Sequence, residues 1–87
     1  MNATTVAIDL AKDVFELAFA DAKGRIVQRK RLRRARFLAE FQNRPQVTII
    51  MEACGTAHYW ARRLAALGHT PVLLPPRHCK PFVRGCH

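Results

Sequence analysis

The chain has 87 residues, which allows at most one small domain. Its hydrophobic content of 49% is enough for a packed core and excludes a disordered chain. A net charge of +9 and a pI near 10.8 point to a polyanionic partner, either nucleic acid or an anionic membrane surface, and no apolar run approaches the roughly 20 residues of a membrane span.

No basic region followed by an apolar segment marks the N-terminus as a secretory signal. Three cysteines, an odd number without disulfide-type spacing, fit a reduced, cytosolic setting. In chain order, residues 4–10 read as a strand, with Thr5, Ala7 and Asp9 on one face and Val6, Ile8 and Leu10 on the other. Lys12-Asp13 reads as a turn. Residues 14–20 are a second strand, with Phe15, Leu17 and Phe19 opposite Glu16. Asp21-Ala22-Lys23-Gly24 is a hairpin connection in which Gly24 supplies a positive φ. Residues 25–32 form a third, more polar strand whose charges suit an exposed sheet edge.

Residues 34–42 are a short helix carrying Phe37, Leu38 and Phe41, stopped by Asn43 and Pro45. The apolar, β-branched run Val47-Thr48-Ile49-Ile50-Met51 is a fourth strand ending in Glu52. A continuous apolar run of this kind is the pattern of a strand buried on both faces. Thr56 is placed as the N-cap of a second helix running to Leu67, with Trp60, Leu64 and Leu67 on one stripe, Arg62 and Arg63 outward, and Gly68 as its stop. Residues 70–74 are a fifth strand, closed by Pro75-Pro76.

Three hairpin-linked strands followed by helix-linked ones predict an α/β fold with a mixed five-stranded sheet: the first three strands antiparallel, then helix-linked parallel strands. The simplest such sheet sets the first and fourth strands side by side in the middle. Asp9 and Glu52 then stand on adjacent parallel strands. Two neighbouring carboxylates are costly unless a cation lies between them. Their hard oxygens suit magnesium, and ligands of open α/β sheets bind beyond the carboxyl ends of the strands.

Val6-Ala7-Ile8-Asp9-Leu10-Ala11-Lys12 resembles the opening "GIDvaK" signature of the insertion-sequence 110 type of transposase. Met51-Glu52-Ala53-Cys54-Gly55 with His58-Tyr59-Trp60 resembles that family's second block, and Leu67-Gly68-His69 with Pro75 to Lys80 its third. The resemblance covers essentially the whole chain. It implies a ribonuclease H-like, RuvC-like fold with a DEDD acidic set, in which Asp9 is the first D and Glu52 the E. It implies magnesium as cofactor, DNA as substrate, strand cleavage and transfer as chemistry, a guide (bridge) RNA as a further partner and a nucleoid-associated cytoplasmic site. The family's D-x-x-D pair and serine-bearing domain are not in this sequence. Residues 1–87 are therefore expected to be the N-terminal part of such a domain, truncated, inactive alone, and prone to self-association through exposed apolar surface.

Eight of the fifteen basic residues fall in one stretch: Lys23, Arg25, Arg29, Lys30, Arg31, Arg33, Arg34 and Arg36. They are either a solvated edge or, as the family favours, a phosphate-contacting surface, and no aromatic residue is interleaved for base stacking. Lys12 either neutralises a phosphate near Asp9 or only caps its strand. Trp60 is expected in the core and Cys54 as a small packing residue of its turn. His78-Cys79 and Cys86-His87 lack the usual zinc-ligand spacing. Two rival readings remain: a non-catalytic nucleic-acid-binding module, and another ribonuclease H-like protein such as a Holliday-junction resolvase. A sugar kinase-type ATPase half is disfavoured because Leu10-Ala11-Lys12-Asp13 has no phosphate-loop glycine.

Overall fold

The computed structural model describes residues 3–75. It contains strands β1 (Thr5–Asp9), β2 (Val14–Ala20) and β3 (Ile26–Arg33), helix α1 (Arg34–Phe41), strand β4 (Thr48–Glu52), helix α2 (Ala57–Ala66) and strand β5 (Thr70–Leu74). Every predicted element is present, with ends displaced by one residue at most positions. The sheet order is β3-β2-β1-β4-β5, so β1 and β4 are central neighbours. β1 pairs antiparallel with β2 and β2 with β3, while β1–β4 and β4–β5 are parallel.

Local chemistry sets the turns. Asp21 Oδ1 accepts hydrogen bonds from the backbone N–H groups of Lys23 at 2.9 Å and Arg25 at 3.0 Å, and Gly24 adopts the left-handed φ of 83° that closes the hairpin. Gly68, at φ 97°, ends α2. Thr56 precedes α2 but lies in the helical region and makes no side-chain capping bond, so the expected N-cap is not formed.

The core lies on one side of the sheet. Val6, Ile8, Phe15, Leu17, Phe19, Ile49 and Met51 are buried under Phe37, Phe41, Trp60 and Leu64 of the two helices. Phe37 is its centre. Its ring stands edge-to-face with Phe15 at 4.8 Å, Trp60 at 5.1 Å and Phe41 at 5.5 Å. Both helices share this face for a reason of handedness. β3 runs parallel to β4, and the chain moves from β3 to β4 to β5 in one direction across the sheet. Right-handed crossovers taken in one direction put both connecting helices on the same side.

The opposite face is covered by nothing among the described residues. Along it, register aligns Arg29, Ala18, Ala7, Ile50 and Val72 in one row. This corrects the expectation for the fourth strand. Ile49 and Met51 are buried, whereas Thr48, Ile50 and Glu52 are only half-buried, so the apolar run faces a core on one side alone.

One buried polar side chain pins the second layer. His69 accepts a hydrogen bond at Nδ1 from the Val47 N–H at 3.2 Å and donates from Nε2 to the Phe41 carbonyl at 2.8 Å. It thereby ties the end of α1 and the start of β4 to the α2–β5 turn. Glu40 does similar work nearer the surface, accepting from Lys30 Nζ and Arg44 Nη2, each at 2.7 Å.

Two predictions follow from this packing. His69→Ala leaves two buried backbone groups without a partner and is expected to cost about 1–3 kcal/mol for each. Urea unfolding at neutral pH reads this as a lowered midpoint, and a midpoint unchanged from wild type contradicts the pinning role. Phe37→Ala should cost about 3–5 kcal/mol, close to the whole stability of a small domain, whereas Val72→Thr on the uncovered face should stay within about 0.5 kcal/mol. The same unfolding series checks both, and equal losses contradict the one-sided core.

Candidate nucleic-acid and metal site

The parallel register pairs Ala7 with Ile50 and Ile8 with Met51. The next residues of the two strands, Asp9 and Glu52, therefore stand side by side at their carboxyl ends. Alternation does the rest. With Ile8 and Met51 turned into the core, Asp9 and Glu52 are turned to the uncovered face. There they line one open depression of about 600 Å³ together with Ala7, Ala18 and Ile50.

The same register extends the row outward. Asp9 lies opposite Glu16 of β2, and Glu16 opposite Arg31 of β3. Arg31 Nη2 donates to Glu16 Oε2 at 2.9 Å in an exposed pair. Glu16 thus holds a guanidinium on the carboxylate face, a role the sequence reading missed. The available signal was its place in the alternation, opposite Phe15 and Leu17.

Asp9 and Glu52 offer hard oxygen donors only. Among the described residues, no group of three or more His, Cys, Asp or Glu side chains is arranged to hold a metal ion. Two carboxylates nevertheless fit magnesium, which keeps several waters and takes its remaining ligands from phosphate.

The basic stretch does not form one surface. Arg29 and Arg31 line the depression beside the carboxylates. Lys30 points to the opposite side, half-buried against Glu40 of α1. Lys23 and Arg25 sit at the β2–β3 hairpin, at the other end of the sheet from Asp9. Arg33 is exposed at the end of β3, and Arg34 and Arg36 are exposed on α1. Lys12 is exposed in the bend after β1, at the same sheet end as the carboxylates.

Trp60 is in the core at 6% exposure, as expected, but Cys54 is exposed rather than packed. His78-Cys79, Cys86-His87 and most of the third family block lie outside the described residues. No helix among the described residues is long and apolar enough to cross a membrane.

Known proteins are similar to this chain in sequence. Over 85 residues, 98% of the chain, it is 45% identical to the "Probable family 20 transposase" of Pseudomonas aeruginosa, of which the match covers 25%. It is 34% identical over 79 residues to the transposase for insertion sequence element IS1111A of Coxiella burnetii, covering 91% of the chain and 22% of that protein. It is also 34% identical over 83 residues to the transposase for insertion sequence element IS1328 of Yersinia enterocolitica, covering 95% of the chain and 25% of that protein. No protein-family model and no solved structure matches the chain. The chain spans about a quarter of the length of these relatives. Along nearly its whole length, it is homologous to part of the transposases of insertion sequences.

Proposed function

We propose that the chain is the N-terminal part of a RuvC-like DEDD domain of an insertion-sequence transposase, acting on DNA with magnesium. The observation that carries this reading is the pairing of Asp9 and Glu52 at the carboxyl ends of the two central parallel strands. The homology to transposases supports the substrate class.

In this reading Asp9 and Glu52 are the residues that would hold the ion. Magnesium, when bound, supplies Lewis-acid stabilisation of charge on a phosphate. The chain's own residues prepare the approach. Without a cation, Asp9 and Glu52 repel a phosphodiester. Arg29 and Arg31, on the same face, lower that repulsion and draw the backbone across the sheet. Glu16 fixes where the Arg31 charge stands. A guide RNA would meet the same basic face, since phosphate contacts carry little sequence information. Self-association through the uncovered apolar row, and a reducing, nucleoid-side setting, belong to the same proposal.

Two carboxylates are half of a four-carboxylate set, so the 87-residue chain should bind magnesium weakly and cleave nothing. Magnesium titration followed by amide NMR is expected to shift resonances around Asp9 and Glu52. Asp9→Asn or Glu52→Gln should remove the shifts. Shifts that survive both substitutions, or metal-dependent cleavage of DNA by the chain alone, would refute the half-site.

A separate prediction concerns charge. Affinity for DNA should fall steeply with salt, and Arg29→Ala with Arg31→Ala should each reduce the salt slope by about one. Lys30→Ala, whose charge is engaged with Glu40, should reduce it least. Anisotropy titrations at several salt concentrations compare the three, and equal effects would contradict the division of the basic residues.

A further inference from the structure

At the same end of the sheet as Asp9 and Glu52, but on the helix side, lies a second depression of about 390 Å³. It is lined by Arg34, Gly55, Thr56, Tyr59 and Trp60. Its size falls in the range of about 300–1,000 Å³ typical of small-ligand sites. We propose that Tyr59, with Arg34 and Arg63, seats one unpaired nucleotide here, the base stacking on the phenol ring and the two arginines taking the flanking phosphates. The proposal rests on the nucleic-acid reading above and names the form of nucleic acid that is preferred.

Three independent features converge. First, Tyr59 is 44% exposed, whereas every Phe and Trp side chain among the described residues is buried. Its ring is held rather than loose. It stands edge-to-face with Trp60 at 4.9 Å, and Trp60 is itself fixed edge-to-face on Phe15 at 5.4 Å and Phe37 at 5.1 Å. A ring braced on the core loses little freedom when a base stacks on it.

Second, the charge is positive. The Arg63 guanidinium, one turn further along α2, lies 5.8 Å from the Tyr59 ring centroid. Arg34 also lines the depression, at the junction of β3 and α1, with its backbone N–H bonded to the Asp13 carbonyl at 2.9 Å. No acidic residue lies in the first turn of α2 or lines the depression. Third, the position is suitable. Strands β1, β3 and β4 all end here, so a backbone crossing Asp9 and Glu52 leads towards this depression.

A base within a duplex is stacked on its neighbours and cannot reach the ring. An unpaired one can, and every base has a π-face to offer. The chemistry is common to single-stranded DNA and single-stranded RNA, and the two form separate arms of the test.

The experiment is fluorescence anisotropy of the 87-residue chain with labelled oligo-dT, oligo-rU and a duplex of equal length. Tyr59→Ala is expected to weaken binding to one or both single strands by about 5- to 150-fold, the range of stacking losses. Duplex binding should change less than about twofold, because phosphate contacts remain. Tyr59→Phe keeps the ring and should bind as wild type. Tyr59→Leu preserves apolar bulk against Trp60 and should still lose the single-strand preference. Which single strand responds assigns the occupant as DNA, RNA or either. Wild-type binding to nucleic acid that is indifferent to Tyr59→Ala and Tyr59→Leu overturns this inference alone. Absence of salt-dependent binding to any of the three probes overturns the nucleic-acid reading and this inference with it.

Discussion

The handedness of the two crossovers is the constraint from which most of this structure follows. β3–α1–β4 and β4–α2–β5 step in the same direction across the sheet, so right-handed connections deliver both helices to one face. That face becomes the core, with Phe37 and Trp60 meeting Phe15 over the central strands. The other face is left to Ala7, Ala18, Ile50 and Val72, with Asp9, Glu16 and Glu52 in the adjoining row.

The same constraint sorts the basic residues. A strand alternates its side chains, so consecutive charges on β3 cannot serve one surface. Lys30 is turned towards α1 and neutralised by Glu40, which also binds Arg44. Arg29 and Arg31 are turned to the carboxylate face. The cluster that looks continuous in one dimension is thus a structural ion-pair group on one side of the sheet and a candidate phosphate track on the other. Arg34, near the end of the stretch, belongs to neither and shares a depression with Tyr59 instead.

Two neighbouring candidate sites lie at one end of the sheet. Asp9 and Glu52 offer oxygen ligands on the uncovered side, and Tyr59 with Arg34 offers an aromatic and cationic surface on the helix side. The hairpin end is closed by the turn chemistry of Asp21 and Gly24. This agrees with the general tendency of α/β sheets to collect function beyond the carboxyl ends of their strands.

Much of the fold was legible in the sequence, because the signals are local. Alternation of Phe15, Leu17 and Phe19 with Glu16, the Asp21–Gly24 turn, the helical stripe of Trp60 and Leu64, and Gly68 at the helix end each depend on a few adjacent residues. The order of strands followed from connection rules, and with it the pairing of Asp9 with Glu52. What the sequence could not decide involves neighbours distant in the chain. The apolar run of the fourth strand reads as buried on both faces, but burial depends on which face the crossovers cover. His69 carries no mark that its two nitrogens bind Val47 and Phe41, residues 22 and 28 positions away. Arg34 and Tyr59 share a depression only because the carboxyl ends of β3 and β4 lie at one end of the same sheet. Sequence by itself determined the elements and their inward faces, since periodicity and turn chemistry act over a few residues. Tertiary structure alone decided which charges share a surface, since that depends on strand register and on the side to which the helices return.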